Sequence, residues 1–498
     1  MYIKQTSIRL IFNLIFILGL IPLVMAGNRK PGKMTTYAIA EIQGNCKTTA
    51  GTELRGVYLP FNAIELEPNN SESVLTLKWK GIKASDIGKN PLFRLSLVSD
   101  LVTFQSLEVT SNKVLLGNID LSLGNAFQLL QLKIPADKVG MVLKEGIQVR
   151  AKGEGPAIKV FASGDALSPG SLPHLLIPGK LNPYEEFLNR MASRSSVTAY
   201  GWEEGCVIDG LALLTDRSAD GTRFKAALND HLSLIYPKDD QINQKGFGIE
   251  GTSCIAQLAL KNPAHPDIKS VLAFWDSRKD SNGAVNDGTT VVAEGNYTVA
   301  WPLAVLSKQL NRPDLAEMAA NQLRLRRDRL VDEEGAIWLR CNQSGVKTYR
   351  LWSRGVAWYL LGMAKTLDML PVAPPDLVKE LQRATAYLIR IQGKDGMWKV
   401  FAGEMETAPE SSGTSGIATA MAIGIRRGWL GKEAEKSARS ALMGLQKRLT
   451  PDGYLDGTAQ SNKGQGGEKF QRATKGTTCQ WGMGMFAQLV AELDPPKN

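Results

Sequence analysis

Histidine is almost missing from this chain of 498 residues. Only His174, His231 and His265 occur, and none stands near another His or a Cys at metal-ligand spacing. That argues against a zinc enzyme and against Ser-His or Cys-His nucleophilic catalysis. No feature points to a cofactor or a metal, and no nucleic-acid module is recognisable. Long apolar runs are also scarce. Mean hydropathy is −0.14, and a single long apolar segment excludes a multi-span membrane protein. That segment is residues 1–26. Lys4 and Arg9 form a basic start, Leu10 to Leu20 an apolar stretch, and Val24-Met25-Ala26 a small-residue cleavage site. It reads as a signal peptide, which predicts a periplasmic or secreted protein with no membrane attachment after cleavage. Five cysteines (46, 206, 254, 341 and 479) are spaced too widely for a disulfide scaffold and read as buried thiols. Lys and Arg exceed Asp and Glu by 59 to 49, a net charge of +10. No basic run is longer than a few residues. Arg324, Arg326, Arg327 and Arg329 read as a solvated helix face, and the surplus favours an acidic substrate.

What is present divides near residue 180. From 35 to 162 short apolar alternations recur: 73–82, 92–100, 127–134 and 147–153. Period-two patterning between turn residues predicts β-strands, and several in about 130 residues predict a β-sandwich-like accessory domain. Residues 163–182, with Pro169, Pro173 and Pro178, read as a linker running to Pro183. From 183 to 495 a Gly- or Ser-rich start followed by a small-residue apolar helix occurs six times, at 200–214, 246–260, 291–306, 352–364, 411–425 and 477–490. Amphipathic helices lie between them at 182–192, 312–330, 375–391 and 432–449. Six charge-poor helices alternating with amphipathic ones predict a mainly α (α/α)6 toroid, the first set inside and the second outside. If the interface with the β-domain is small and polar, residues 180–498 should fold alone. Cys206 and Cys479 open neighbouring inner helices, so a disulfide between them is a possible staple.

The inner-helix starts should gather at one end as a mouth. They bring Trp202, Glu250, Glu294, Tyr297, Trp352, Arg354, Trp358, Glu410, Ser411, Thr414 and Trp481. Flat aromatic faces suit sugar rings, and an Arg suits a sugar carboxylate by bidentate pairing. With no His at the mouth, carboxylates are the proton donors. Glu294 stands out. It follows an apolar Val-Val-Ala run and opens an uninterrupted apolar helix, so burial should raise its pKa and keep it protonated.

WSRGVAW (352–358), then IQGKDGMW (391–398), then PESSGTSGIATAMAIGIRRGWL (409–430) and LTPDGYL (449–455) appear in that order. Over roughly residues 185–493 the chain resembles the unsaturated uronyl hydrolases of glycoside hydrolase families 88 and 105. The resemblance implies an (α/α)6 toroid that removes an unsaturated uronic acid from the non-reducing end of acidic oligosaccharides, by protonation and hydration of the C4=C5 double bond. It also implies that Trp352, Arg354 and Trp358 bind the sugar. The family's catalytic Asp, which opens the third inner helix with a Pro about two turns on, corresponds to Glu294 with Pro302. A second family Asp corresponds to Glu250. The family's His ahead of W-x-R-G is replaced, with Arg340 and Cys341 in that region.

Two other readings accompany this one. A conventional exo-uronidase would use Glu250 and Glu294 as an acid and base pair, and would release a saturated uronate. A non-catalytic carbohydrate-binding relative would bind without turnover.

Overall fold

The computed structural model describes residues 33–496, apart from 45, 55–56, 60, 89–90, 164–166, 236–247 and 463–465. The leader, 1–26, lies outside the described residues. Among the described residues the strand-patterned half builds three larger antiparallel sheets and the two-stranded pair Thr52–Leu54 with Val57–Leu59. One runs Thr36–Ile39, His174–Ile177, Leu92–Ser96, Leu129–Lys133. The second runs Val114–Asp120, Gln105–Ser111, Ile147–Gly153, Leu75–Lys78, Glu41–Gln43, and the third Ile158–Ser163, Asn62–Leu66, Thr48–Thr49. Alternation sends Leu75, Leu77, Phe93, Leu95, Leu107, Val109, Val149 and Val160 into one shared core. The 163–182 linker is corrected in part. His174–Ile177 is a strand between Thr36–Ile39 and Leu92–Ser96, with Leu175 paired to Ala38 and Phe93. Flanking prolines hide a four-residue strand that is set by pairing across more than 130 residues of chain.

The rest is mainly helical, and the six inner helices are Trp202–Arg217, Ile255–Lys261, Trp301–Gln309, Ser353–Met369, Ser411–Arg426 and Gln480–Leu493. Each touches the next, and the sixth packs on the first, so the ring closes. Closure depends on small residues. A Cβ on Gly210 would lie 2.6 Å from the Gly484 carbonyl, and one on Gly484 2.5 Å from the Cys206 carbonyl. Four outer helices follow the amphipathic stretches, Pro183–Met191, Pro313–Leu330, Pro375–Arg390 and Lys432–Gln446, and two more, Gly221–Ile235 and Pro266–Ser277, were not read from the sequence. Asn182 caps the first, accepting from the Glu185 N–H at 2.9 Å.

Two expectations change. All five cysteines are free thiols. Cys206 Sγ donates to the Trp202 carbonyl at 3.1 Å, and Cys479 Sγ contacts Thr477 Oγ1 at 3.1 Å. The interface between the sheets and the ring is neither small nor only polar. Phe61, Val98, Phe127, Leu129 and Phe161 belong to the same apolar cluster as the inner helices. Leu129 N–H donates to the Thr478 carbonyl at 3.1 Å, and Arg94 pairs with Asp452 at 2.6 Å with both side chains fully buried.

Candidate active site

The mouth is built around a proline. Pro302, at the start of the third inner helix, has no N–H for the carbonyl of Thr298 four residues back. A π-helical segment, Asn296–Ala300, precedes it. Thr252 Oγ1 stands 2.8 Å from the Thr298 carbonyl and 2.7 Å from the Ile249 carbonyl, its one proton shared between them, and the Trp275 indole N–H donates to the same hydroxyl at 3.2 Å. Thr252 ends the 3-10 turn Ile249–Thr252 that carries Glu250. One side chain therefore ties the segment bearing Glu250 to the segment bearing Glu294.

Glu294 lies at the head of that helix, only 8% exposed. Its own carbonyl accepts from the Tyr297 and Thr298 N–H groups, each at 2.9 Å. Its Oε2 is buried without a hydrogen-bond partner among the described residues. Burial pushes its pKa up, with Arg340 and Arg354 acting against that and Asp287 adding to it. Glu250, half-buried, is pushed up to about 8, by loss of water first and then by the negative charges of Glu294, Asp287 and Glu203. Asp287 comes close to the Glu250 turn, since a Cβ on Gly248 would lie 2.5 Å from its Oδ1. The sequence reading missed Asp287, which sits in a turn held by reciprocal Asp287–Thr290 backbone bonds at 3.0 Å.

Arg326 is a correction. It is fully buried rather than on a solvated face. It donates to the carbonyls of Val292 at 2.9 Å and Val285 at 2.6 Å, and to Gln322 Oε1 at 2.8 Å. Burial lowers its pKa to about 10. The guanidinium lies so close beneath Gly295 that a Cβ there would stand 1.8 Å from Nη2. Glycine is thus dictated next to Glu294. A signal did exist: Arg326 falls on the stripe of Leu315, Ala319, Leu323 and Leu330, the buried face of its helix.

Val291–Val292 continues as a sheet with Trp338–Cys341 and Lys347–Arg350, and Arg340 stands opposite Val292. In Trp338–Cys341 the buried positions alternate with the half-exposed Trp338 and Arg340. Arg340 stacks on the Tyr349 ring at 5.3 Å. Trp202, half-buried, meets Trp481 at 5.1 Å and Trp358 at 5.8 Å. The Trp481 indole N–H is buried and has no partner among the described residues. Trp352 donates its indole N–H to Gln471 Oε1 at 3.2 Å.

Arg354 is 2% exposed. Its Nη1 donates to the Ala459 carbonyl and its Nη2 to the Gln460 carbonyl, the second at 2.7 Å. Its guanidinium also lies 4.6 Å from the Trp352 ring and 5.6 Å from Trp202. Two of its donors therefore hold the chain rather than a ligand. Tyr297 is likewise moved from the wall to beneath it, fully buried with its hydroxyl donating to Asp209. Glu410, Ser411 and Thr414 are also corrected to the frame, because nearby backbone satisfies each. Glu410 caps the fifth inner helix through Ser412 and Gly413 and accepts from the Ala459 N–H at 2.9 Å. Ser411 Oγ donates to the Asp456 carbonyl at 2.6 Å, and Thr414 Oγ1 accepts from the Trp398 N–H at 3.0 Å. Glu250, Glu294 and the half-buried Trp202 remain as the chemical surface, with Trp352, Trp358 and Trp481 buried behind them.

The model of Glycosyl Hydrolase Family 88 matches residues 297–495. An unsaturated rhamnogalacturonyl hydrolase of Bacillus subtilis, YesR, is 24% identical over 149 residues, which is 28% of this chain and 41% of that relative. The match thus spans less than half of the relative's length. A family 105 glycoside hydrolase of Clostridium acetobutylicum aligns over 62% of this chain and 98% of its own, at 18% identity and a TM-score of 0.54. A possible family 105 member from Salmonella enterica aligns over 61% and 83%, at 20% identity and 0.52. At that identity the likeness to the solved structures is one of fold. The resemblance to families 88 and 105 read from the motifs is supported by the family model, the relative and the folds together.

Proposed function

We propose that this chain is a glycoside hydrolase of the unsaturated uronyl hydrolase type, acting at the non-reducing end of acidic oligosaccharides. The observation that carries the reading is Glu294: a buried carboxyl with an unpartnered oxygen at the mouth of the ring, its proton held by burial. Two carboxyls that repel each other in a site of low polarity do not both ionise at neutral pH. At least one proton stays, available to the substrate.

The chemistry follows from that proton. Glu294 gives it to C4, the C4=C5 electron pair forms the new C–H bond, and positive charge develops at C5. Water bonds to C5 and gives its own proton back to the carboxylate pair of Glu294 and Glu250. The resulting hemiketal opens with loss of the C5 bond to the ring oxygen. The hemiacetal left at C1 then releases the alcohol of the next sugar. Trp202 supplies the flat face for the ring, backed by Trp358 and Trp481. The segment at 1–26 supports export, and the basic surplus supports an acidic substrate.

The same pair could serve as acid and base in a conventional exo-uronidase, which Glu250's raised pKa favours as the second reading. Products separate the two. Incubation with lyase digests of acidic polysaccharides should abolish the ultraviolet absorbance of the C4=C5 bond. Release of a saturated uronate from undigested oligosaccharide, with that absorbance preserved in the digests, selects the second reading.

A further inference from the structure

We propose that Arg340, not the arginine of the W-x-R-G motif, receives the carboxylate of the substrate. The inference rests on the uronate reading given above and names the residue that makes the site selective for an acid.

The two arginines differ in what their donors already do. Arg354 is buried, with two guanidinium nitrogens on the carbonyls of Ala459 and Gln460. Arg340 is half-exposed; its backbone pairs in the sheet, but its guanidinium makes no hydrogen bond or ion pair among the described residues. Its neighbour on the hairpin, Arg350, is paired with Asp332 at 3.0 Å, so the absence is particular to Arg340. Its guanidinium carbon lies over the Tyr349 ring, 5.3 Å from the centroid, a contact that uses up none of its N–H donors. The Tyr349 ring is held in turn by Phe401, at 6.4 Å and parallel, and by Trp352 at 5.9 Å.

Placement is set by the sheet. Arg340 stands across from Val292, and the Ala293 N–H donates to the Leu339 carbonyl at 2.9 Å. The strand that delivers Arg340 is therefore bonded to the residue immediately before Glu294. Arg340 acts electrostatically on both Glu294 and Glu250. An arginine stacked on an aromatic ring, with free donors beside a proton donor, fits a planar carboxylate one bond from the reacting C5.

The test is a titration of the full chain with D-glucuronate and with D-glucose. Wild type should prefer glucuronate by about tenfold or more, as a charge-assisted pair requires. Arg340→Gln should lose the preference while melting at the wild-type temperature, and Arg340→Lys should keep part of it. No preference in wild type, or one unchanged in Arg340→Gln, overturns the proposal. If the preference behaves as expected but the double bond of lyase products survives, the hydrolase reading fails and the role of Arg340 stands. If the double bond is consumed and Arg340→Gln has the wild-type KM, the reading stands and Arg340 is dismissed.

Discussion

At Glu294 folding and chemistry are in conflict. The unfolded chain exposes an ordinary carboxyl, whereas the folded chain holds the proton to a higher pH. Below about pH 4.3, the unfolded pKa, the group is neutral in both states and costs nothing. As pH rises past that value, ionisation is easier in the unfolded chain, so stability falls until the folded pKa is reached. Glu294→Gln should therefore melt with wild type at pH 4 and above it at pH 7, by calorimetry at both values. Equal melting temperatures at pH 7 would mean the carboxyl is not held protonated. Arg354 behaves in the opposite way. Arg354→Lys loses the fork that spans Ala459 and Gln460, at a cost of about 2–4 kcal/mol for two charge-assisted bonds. Its melting temperature should drop, and an unchanged one would return Arg354 to ligand binding. The burial of Glu294 was legible in the sequence because a Val-Val-Ala run precedes it and no charged residue follows it until Lys308. The commitment of Arg354 was not, since its acceptors are backbone carbonyls more than 100 residues away.

Among the elements, the inner helices were readable because they are rich in small and apolar residues and poorer in charge than the amphipathic helices between them. The link between the second and third was hidden. Pro302 can be seen in the sequence, but the group that takes over its missing bond is Thr252, fifty residues earlier. Thr252→Val keeps the shape and removes the hydroxyl. The Thr298 carbonyl and the Trp275 indole N–H then lose their shared partner, which costs about 1–3 kcal/mol. Activity should fall further than stability alone explains, because the turn carrying Glu250 is no longer tied to the helix of Glu294. Measuring kcat well below the variant's melting temperature checks this, and wild-type kcat would remove the tie from the account. The strand His174–Ile177 was missed for the same reason: its partners are supplied by distant chain.

At the scale of the whole molecule, the sheets and the ring are one structure. Asp452 joins them. It accepts from Arg94 at 2.6 Å, Tyr37 at 3.1 Å and Thr450 at 2.8 Å, and its carbonyl accepts from Arg190 at 3.1 Å. Arg94 and the other partners hold its pKa down despite burial. That stability is present above about pH 3.9, the unfolded value, and is lost as pH falls through the lower folded one. Asp452→Asn leaves Arg94 buried without its counter-charge, a loss of about 3–5 kcal/mol. It should appear as a lower urea midpoint at pH 7, narrowing toward acid. Residues 180–498 alone, lacking Arg94 and the apolar surface of Phe61, Phe127 and Phe161, should aggregate. A soluble, cooperatively melting fragment would show the ring to be independent. Repeat patterning revealed the ring, but a pairing of Arg94 with Asp452 across 358 positions leaves no local trace.

The central claim is that Glu294 delivers a proton to the C4=C5 double bond. Following the ultraviolet absorbance of lyase-generated oligosaccharides tests it most directly, with wild type and Glu294→Gln side by side. Wild type should bleach the absorbance, and the variant should lose about 10²- to 10⁴-fold in kcat, the contribution of a positioned acid. Bleaching by the variant at the wild-type rate would contradict the account.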